Sequence, residues 1–408
     1  MSPSQNILVY AELLSNIRQI SVGCTLSTPA SSATRATIAA EGQSLTIAHD
    51  GVSKSIELPG RVPSTLQLPI QKIGATVLSW RLPLASPTTG RVLPGSEESV
   101  PWSAKDLEPG SAVTCRTCNT IIVDAGTLHV WKDLPSENWA EMMEFWHCHK
   151  PHHHKQSDDE QHLTDRGYGA SSRIVAQPGV GFVDLTSFFL ADSDVLNSSI
   201  STPVTADGAS DDSKEEAQSG TSILNCRSCK TQVGVRSDQV SSISLFKWQV
   251  HVNQQKPNNL ELSPDLAECV SAMLLATMAR SGCSKSIIIP MEAQSSPALN
   301  GSNSRGRGQS QSLLNIWVFN ANIAFSSTEA PKSPINAIKV FYRTVTREEA
   351  DKMLESMTSD VQDISLPTKA ITSIIDLLDT SNTFVPPNDR KFKEWTVGLL
   401  EKWDSKGG

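Results

Sequence analysis

Cys115-Arg116-Thr117-Cys118 and Cys226-Arg227-Ser228-Cys229 are the stretches on which the reading of this chain turns. Each presents two thiols at the spacing of a zinc knuckle, where a tight turn aims both sulfurs at one ion. Together they supply four thiolates, the complement of a closed tetrahedral structural site with no open position for water. The second pair begins 108 residues after the first ends (226 minus 118). A shared ion would therefore tie together segments far apart in sequence and act as a staple of the fold. A redox pair of thioredoxin type would instead open a helix after a strand. Here each pair runs into a strand-like segment, Thr120-Ile121-Ile122-Val123 and Thr231-Gln232-Val233-Gly234-Val235. We expect one Zn2+ on Cys115, Cys118, Cys226 and Cys229.

Between the pairs, Leu134-Pro135-Ser136-Glu137-Asn138-Trp139 leads into Met142, Met143, Trp146, His147, Cys148 and His149. Ser136 is placed to cap a helix whose Trp139, Met142, Met143 and Trp146 fall on one stripe. Cys148, followed by His149 and by His152, His153 and His154, admits three readings: a metal ligand with His149, a thiol activated by a neighbouring imidazole, or a packed cysteine beside a solvated histidine tract. An imidazolium nearby would depress the thiol pKa, which makes Cys148 the candidate catalytic nucleophile. Cys24, Cys269 and Cys283 have no partner motif and read as structural.

The 408 residues carry 38% hydrophobic side chains and a formal charge of −8, with a pI near 5.6. The length suits two or three domains. The acidic balance provides no domain-wide basic field for a phosphate backbone, so nucleic acid is not an expected partner. The N-terminus shows no positive segment followed by an apolar one, and no run of about 18 apolar residues occurs, which argues against secretion and membrane insertion. Eight cysteines are too sparse for a disulfide scaffold. Reduced thiols in a cytoplasmic or nuclear protein are the expectation.

Three stretches rich in Ser, Thr, Gly, Pro and charge read as unpacked: Ser86–Ser99, Ser201–Ser222 and Ser295–Ser312. The last contains Arg305-Gly306-Arg307-Gly308, read as solvated linker. Strands are expected at Asn6–Tyr10, Leu66–Ile70 and Ala75–Leu84, with a hairpin at Asp50-Gly51 between Leu45, Ile47 and Val52, Ile56, Leu58. Ser263-Pro264 opens an apolar helix that stops at Gly282, and strands follow at Leu313–Phe325 and Ala337–Thr344. Thr346 and Glu349 form a capping box for a helix through about Met357, and an amphipathic helix spans Pro367–Asp379. The fold class is α+β: an N-terminal antiparallel β domain over 1–105, a zinc-stapled β-rich domain over 106–255 with a disordered insertion near 201–222, and a C-terminal α+β domain over 256–408 with a flexible loop near 295–312.

Taken together, the two Cys-x-x-Cys pairs, Leu134-Pro135-Ser136-Glu137-Asn138-Trp139 with Trp146-His147-Cys148-His149, and the closing segment Ser381-Asn382-Thr383-Phe384-Val385-Pro386-Pro387-Asn388-Asp389-Arg390 through Leu400 resemble the HECT-like proteins that bind ubiquitin-conjugating enzymes. The likeness runs from about residue 6 to 403. The second knuckle is also similar to that of cereblon-like and Yippee-like β-tent domains, in which two hairpins from separate sheets meet at one zinc. The HECT-like resemblance implies an atypical ubiquitin ligase or adaptor, with a ubiquitin-conjugating enzyme and ubiquitin as partners. Some members are linked to the nuclease of mRNA 3′-end processing, so the alternative is a non-enzymatic binding protein or chaperone for such a client. A HECT enzyme carries its acceptor thiol close to the C-terminus, whereas the last cysteine here is Cys283, 125 residues from the end (408 minus 283). A RING needs eight interleaved ligands for two zincs, a pattern this sequence lacks. Cys148 is thus the candidate thioester carrier.

Overall fold

The computed structural model describes residues 7–70, 72–85, 100–134, 175–202, 221–237, 240–253, 263–291, 312–331, 334–356 and 360–404. Cys148, His149, the helix expected from Ser136, Ser86–Ser99, most of Ser201–Ser222 and nearly all of Ser295–Ser312 lie outside these residues. The described part is mostly β with three helices, and it divides into two compact units. One unit joins Met1–Ser99 to Leu266–Gly408; the other is Val100–Asp265.

Ile7–Leu14 (β1), Gln19–Leu26 (β2) and Val77–Pro83, the sixth strand (β6), pair antiparallel. Burial alternates along β2 and β6, as a sheet with one face on a core requires. Arg35–Ile38 (β3), Ser44–His49 (β4) and Val52–Glu57 (β5) form a separate three-stranded sheet. Leu45, Ile47, Val22, Leu82 and Trp80 meet in one core between these layers. The expected hairpin is present: Asp50 and Gly51 take φ of 46° and 80°, the left-handed pair that suits a two-residue turn. The strand expected at Leu66–Ile70 is not formed; it makes one bridge, Leu68 to Ala36. Pro69 removes a backbone donor there, which a ladder cannot spare.

The second unit holds Ala112–Cys115 (β7), Ile121–Val123 (β8), Val130–Asp133 (β9), Val180–Val183 (β10), Ser187–Ala191 (β11), Ile200–Ser201 (β12), Thr221–Cys226 (β13), Gln232–Ser237 (β14), Ser242–Phe246 (β15) and Val250–Asn253 (β16). They make a three-stranded sheet, β16-β7-β8, and a seven-stranded sheet, β12-β13-β14-β15-β11-β10-β9. Phe188 is fully buried between Trp102 and Trp131, with ring centroids 5.8 and 5.0 Å away.

The chain then returns to the first unit. Leu266–Ser281 (α1) ends at Gly282, whose φ of 71° supplies the left-handed stop. Lys285–Pro290 (β17), Leu313–Ser327 (β18), Ile335–Val345 (β19), Arg347–Glu355 (α2), Val361–Leu366 (β20), Thr368–Asn382 (α3), Lys391–Phe392 (β21) and Trp395–Glu401 (β22) follow. Thr346 accepts from the Glu349 backbone as expected, but the Glu349 carboxylate goes to Arg343 at 2.8 Å instead of closing the capping box. Along the sheet the order is β21-β22-β19-β18-β1-β2-β6, with β17 beside β18 and β20 parallel to β17. The long β18 pairs β17 with its first half and β1 with its second. The N-terminal and C-terminal segments, expected as separate domains, therefore share one sheet through β1 and β18. No local periodicity signals a pairing between strands some three hundred residues apart. No described helix is long and apolar enough to cross a membrane.

Candidate metal centre

Each knuckle sits in a hairpin of a different sheet of the second unit. Cys115 closes β7 before β8, and Cys226 closes β13 before β14. The two turns are built alike. Cys115 N donates to Thr120 O and Cys226 N to Thr231 O, both at 2.8 Å. Asn119 N donates back to Cys115 O and Lys230 N to Cys226 O, with Asn119 and Lys230 in the left-handed region at φ 56° and 62°. The backbone N–H after each first cysteine bonds the residue that precedes another strand: Arg116 to Gln249 O, just before β16, and Arg227 to Ser199 O, just before β12.

The four sulfurs converge. All lie within 4.8 Å of one another, with Cys115 Sγ 3.6 Å from Cys229 Sγ and Cys118 Sγ 3.6 Å from Cys226 Sγ. A disulfide needs about 2.05 Å. Four thiolates around an ion at about 2.3 Å stand roughly 3.8 Å apart along each tetrahedral edge. The observed separations match the second geometry, so the donor set fits one divalent cation with a closed thiolate shell. Cys115 and Cys226 are buried, while Cys118 and Cys229 lie nearer the surface.

The thiols are unequal. Burial pushes Cys115 up to about 12. Cys118 is drawn down to about 6, first by the Thr120 hydroxyl 3.2 Å from its sulfur and then by the Thr120 backbone. Cys229 is also lowered: burial opposes it, and the bonds with Thr231 outweigh that opposition. A cation at the centre of the four sulfurs would favour their anionic forms.

The expected ligands Cys115, Cys118, Cys226 and Cys229 are thus brought together. Two pairs of supporting residues escaped the sequence reading. Thr120 and Thr231 stand two positions after the last cysteine of each knuckle, against its sulfur. Arg116 and Arg227 follow the first cysteine, and their guanidinium groups donate to Pro264 O at 2.7 Å and Ile200 O at 3.1 Å. Their signal was the shared pattern Cys-Arg-x-Cys-x-Thr, repeated at equal offsets. Cys24 and Cys269 are fully buried, in keeping with structural roles, and Cys283 is half-buried.

Comparison with known sequences settles the family, because one profile, described as HECT-like ubiquitin-conjugating enzyme (E2)-binding, matches residues 12–397. The chain belongs to that family. It is 26% identical over 321 residues to an uncharacterized protein of Schizosaccharomyces pombe, covering 75% of this chain and 79% of the relative. An uncharacterized protein of Saccharomyces cerevisiae is 22% identical over 328 residues, 78% of each chain. No solved structure matches significantly.

Proposed function

We propose that this protein binds a ubiquitin-conjugating enzyme and works as an adaptor or atypical ligase, on a scaffold stapled by one structural zinc. The observation that carries the reading is the match to the E2-binding family over residues 12–397. Thiol chemistry narrows the route. A thioester relay needs an accessible thiolate with a base in hydrogen-bond reach. Among the described cysteines, Cys24 is buried and pushed up to about 12 by that burial, Cys269 is fully buried, and four converge on one another. Cys283 is half-buried, with Gln362 Nε2 3.8 Å from its sulfur, an amide that cannot serve as base. Cys148, which lies outside the described residues, remains the candidate carrier, and the sequence stripe Trp139, Met142, Met143, Trp146 before it favours a recessed or metal-bound sulfur over an accessible one. Ubiquitin then passes from the conjugating enzyme's own thioester, without a stop on this chain. The zinc would cross-link two hairpins and supply no open coordination site.

The test is to charge conjugating enzymes with ubiquitin, add this protein, and follow discharge on a non-reducing gel. Accelerated discharge without a thiol-sensitive adduct on this chain, unchanged in Cys148→Ala, supports the adaptor. An adduct present in the natural protein and absent in Cys148→Ala would make it a catalytic ligase. Absence of both binding and discharge would favour the non-enzymatic reading, a binding protein or chaperone for a client such as the 3′-end processing endonuclease.

A further inference from the structure

The two faces of the nine-stranded sheet are finished differently. Gly398 of β22 backs onto Leu378 of α3, where an added Cβ would stand 2.6 Å from the leucine, and Tyr342 of β19 reaches Asp379 of the same helix. Side chains alternate along a strand, so Phe341 and Trp395 point to the other face. There Trp317 and Phe319 of β18, Phe341 of β19 and Phe392 of β21 form one aromatic cluster. Phe341 lies 4.6 Å from Phe319 and 5.3 Å from Phe392 in stacked geometry, and Trp317 meets it edge-on at 5.2 Å. Phe319 is 55% exposed and Phe392 45%, and they are the exposed aromatic side chains of the described residues. Two such rings side by side are a costly surface to leave in water, and aromatic anchors beside a pocket are what interfaces use.

Beside the cluster runs a groove of about 640 Å³. Its floor carries Glu12, 5% exposed, whose carboxylate takes the Tyr10 hydroxyl at 2.7 Å and the Lys339 ammonium. That buried charge is therefore neutralised within the floor. Arg81 and Lys391 line the same groove and make no ion pair among the described residues, and Lys393 stands 5.6 Å over the Phe392 ring. Asp389 is the one lining acid outside the Glu12 pair. In a chain of net charge −8, this is a local site for acidic groups.

We infer that this groove is the docking surface for the ubiquitin-conjugating enzyme, with Phe319 and Phe392 receiving an apolar projection and Arg81 and Lys391 meeting carboxylates beside it. The inference rests on the proposed function, and it places the partner on residues inside the 12–397 match. Wide exposure makes Phe319 and Phe392 replaceable without loss of the core.

The experiment measures the affinity of purified ubiquitin-conjugating enzymes for the natural chain, for Phe319→Ala with Phe392→Ala, for Arg81→Glu with Lys391→Glu, and for the control Ile73→Ala. Melting temperature and metal content of each variant establish that it is folded. We expect both double variants to bind at least tenfold more weakly, the charge reversal to flatten the salt dependence, and Ile73→Ala to bind as the natural chain does. Natural-strength binding by the folded double variants would overturn the groove while leaving the proposed function standing. Failure of the natural chain to bind any conjugating enzyme would overturn the proposed function and the groove with it. Self-association of the natural chain that the double variants abolish, with enzyme binding intact, would assign the face to a second copy and overturn the inference.

Discussion

Lys247 is fully buried at the end of β15, with its ammonium against the carbonyls of Pro101, Trp102 and Leu185 and 5.7 Å over the Phe188 ring. It holds the start of the second unit to the aromatic core. Lys247→Met keeps the aliphatic length but strands those carbonyls, and a buried polar group left without its partner costs about 1–3 kcal/mol. Chemical denaturation should show a loss of that size, and an unchanged midpoint would contradict it. The cysteines make a sharper case at the same scale. Cys226→Ser removes a fully buried ligand and should release the metal and destabilise the second unit, whereas Cys24→Ser should retain the metal. Elemental analysis of the two variants distinguishes them. The convergence of the four cysteines was legible because thiol pairs at knuckle spacing leave few other roles. Lys247 was not legible: a lone cation after Ser244-Leu245-Phe246 reads as a solvated strand end until the carbonyls around it are known. Thr120 and Thr231 were hidden for a similar reason, since threonine opens many strands.

Among the strands, the run Val233-Gly234-Val235 shows why a glycine stands where a β-branched residue would suit the sheet better. Gly234 pairs Leu245 across β14 and β15, and a Cβ there would stand 2.2 Å from the Ser244 carbonyl oxygen. Backbone cannot yield as a side-chain tip does, so Gly234→Ala should destabilise the unit by about 1–3 kcal/mol. Since β14 begins six residues after Cys226, metal retention should weaken in the same variant. Tyr342 joins β19 to α3 through a 2.5 Å bond to Asp379. Burial first, then the bond and the charge of Asp379, raise its pKa above the ordinary value of about 10. A raised folded pKa stabilises fully below the unfolded value and loses that contribution as pH climbs past about 10. Stability should therefore fall on the alkaline side, and Tyr342→Phe should flatten that limb in denaturation measured from pH 8 to 11. The Asp50-Gly51 hairpin and the Thr346 cap were readable because turn and cap chemistry is local. β2 and β22 were not, since Gln19–Leu26 is half polar and Trp395–Glu401 takes its place from β19.

For the whole molecule, the decisive feature is that the chain's two ends build one sheet, β1 against β18, while the residues between them form a unit of their own. A fragment of residues 266–408 leaves the second half of β18 without its β1 partner, an unpaired edge beside exposed core. It should show no cooperative unfolding by itself, and co-expression with residues 1–99 should restore it; cooperative melting of the isolated fragment would contradict the shared sheet. The α+β class and the β-rich middle were legible from periodicity, whereas the joining of the ends is set by pairing that spans most of the chain.

The central claim is that two hairpins from separate sheets are clamped by one thiolate-bound ion. X-ray absorption at the zinc edge on the purified protein tests it most directly. The expected result is about one zinc per chain with four sulfur neighbours at about 2.3 Å and no nitrogen or oxygen in the shell. A metal-free protein that melts normally, or a shell containing nitrogen or oxygen ligands, would contradict it.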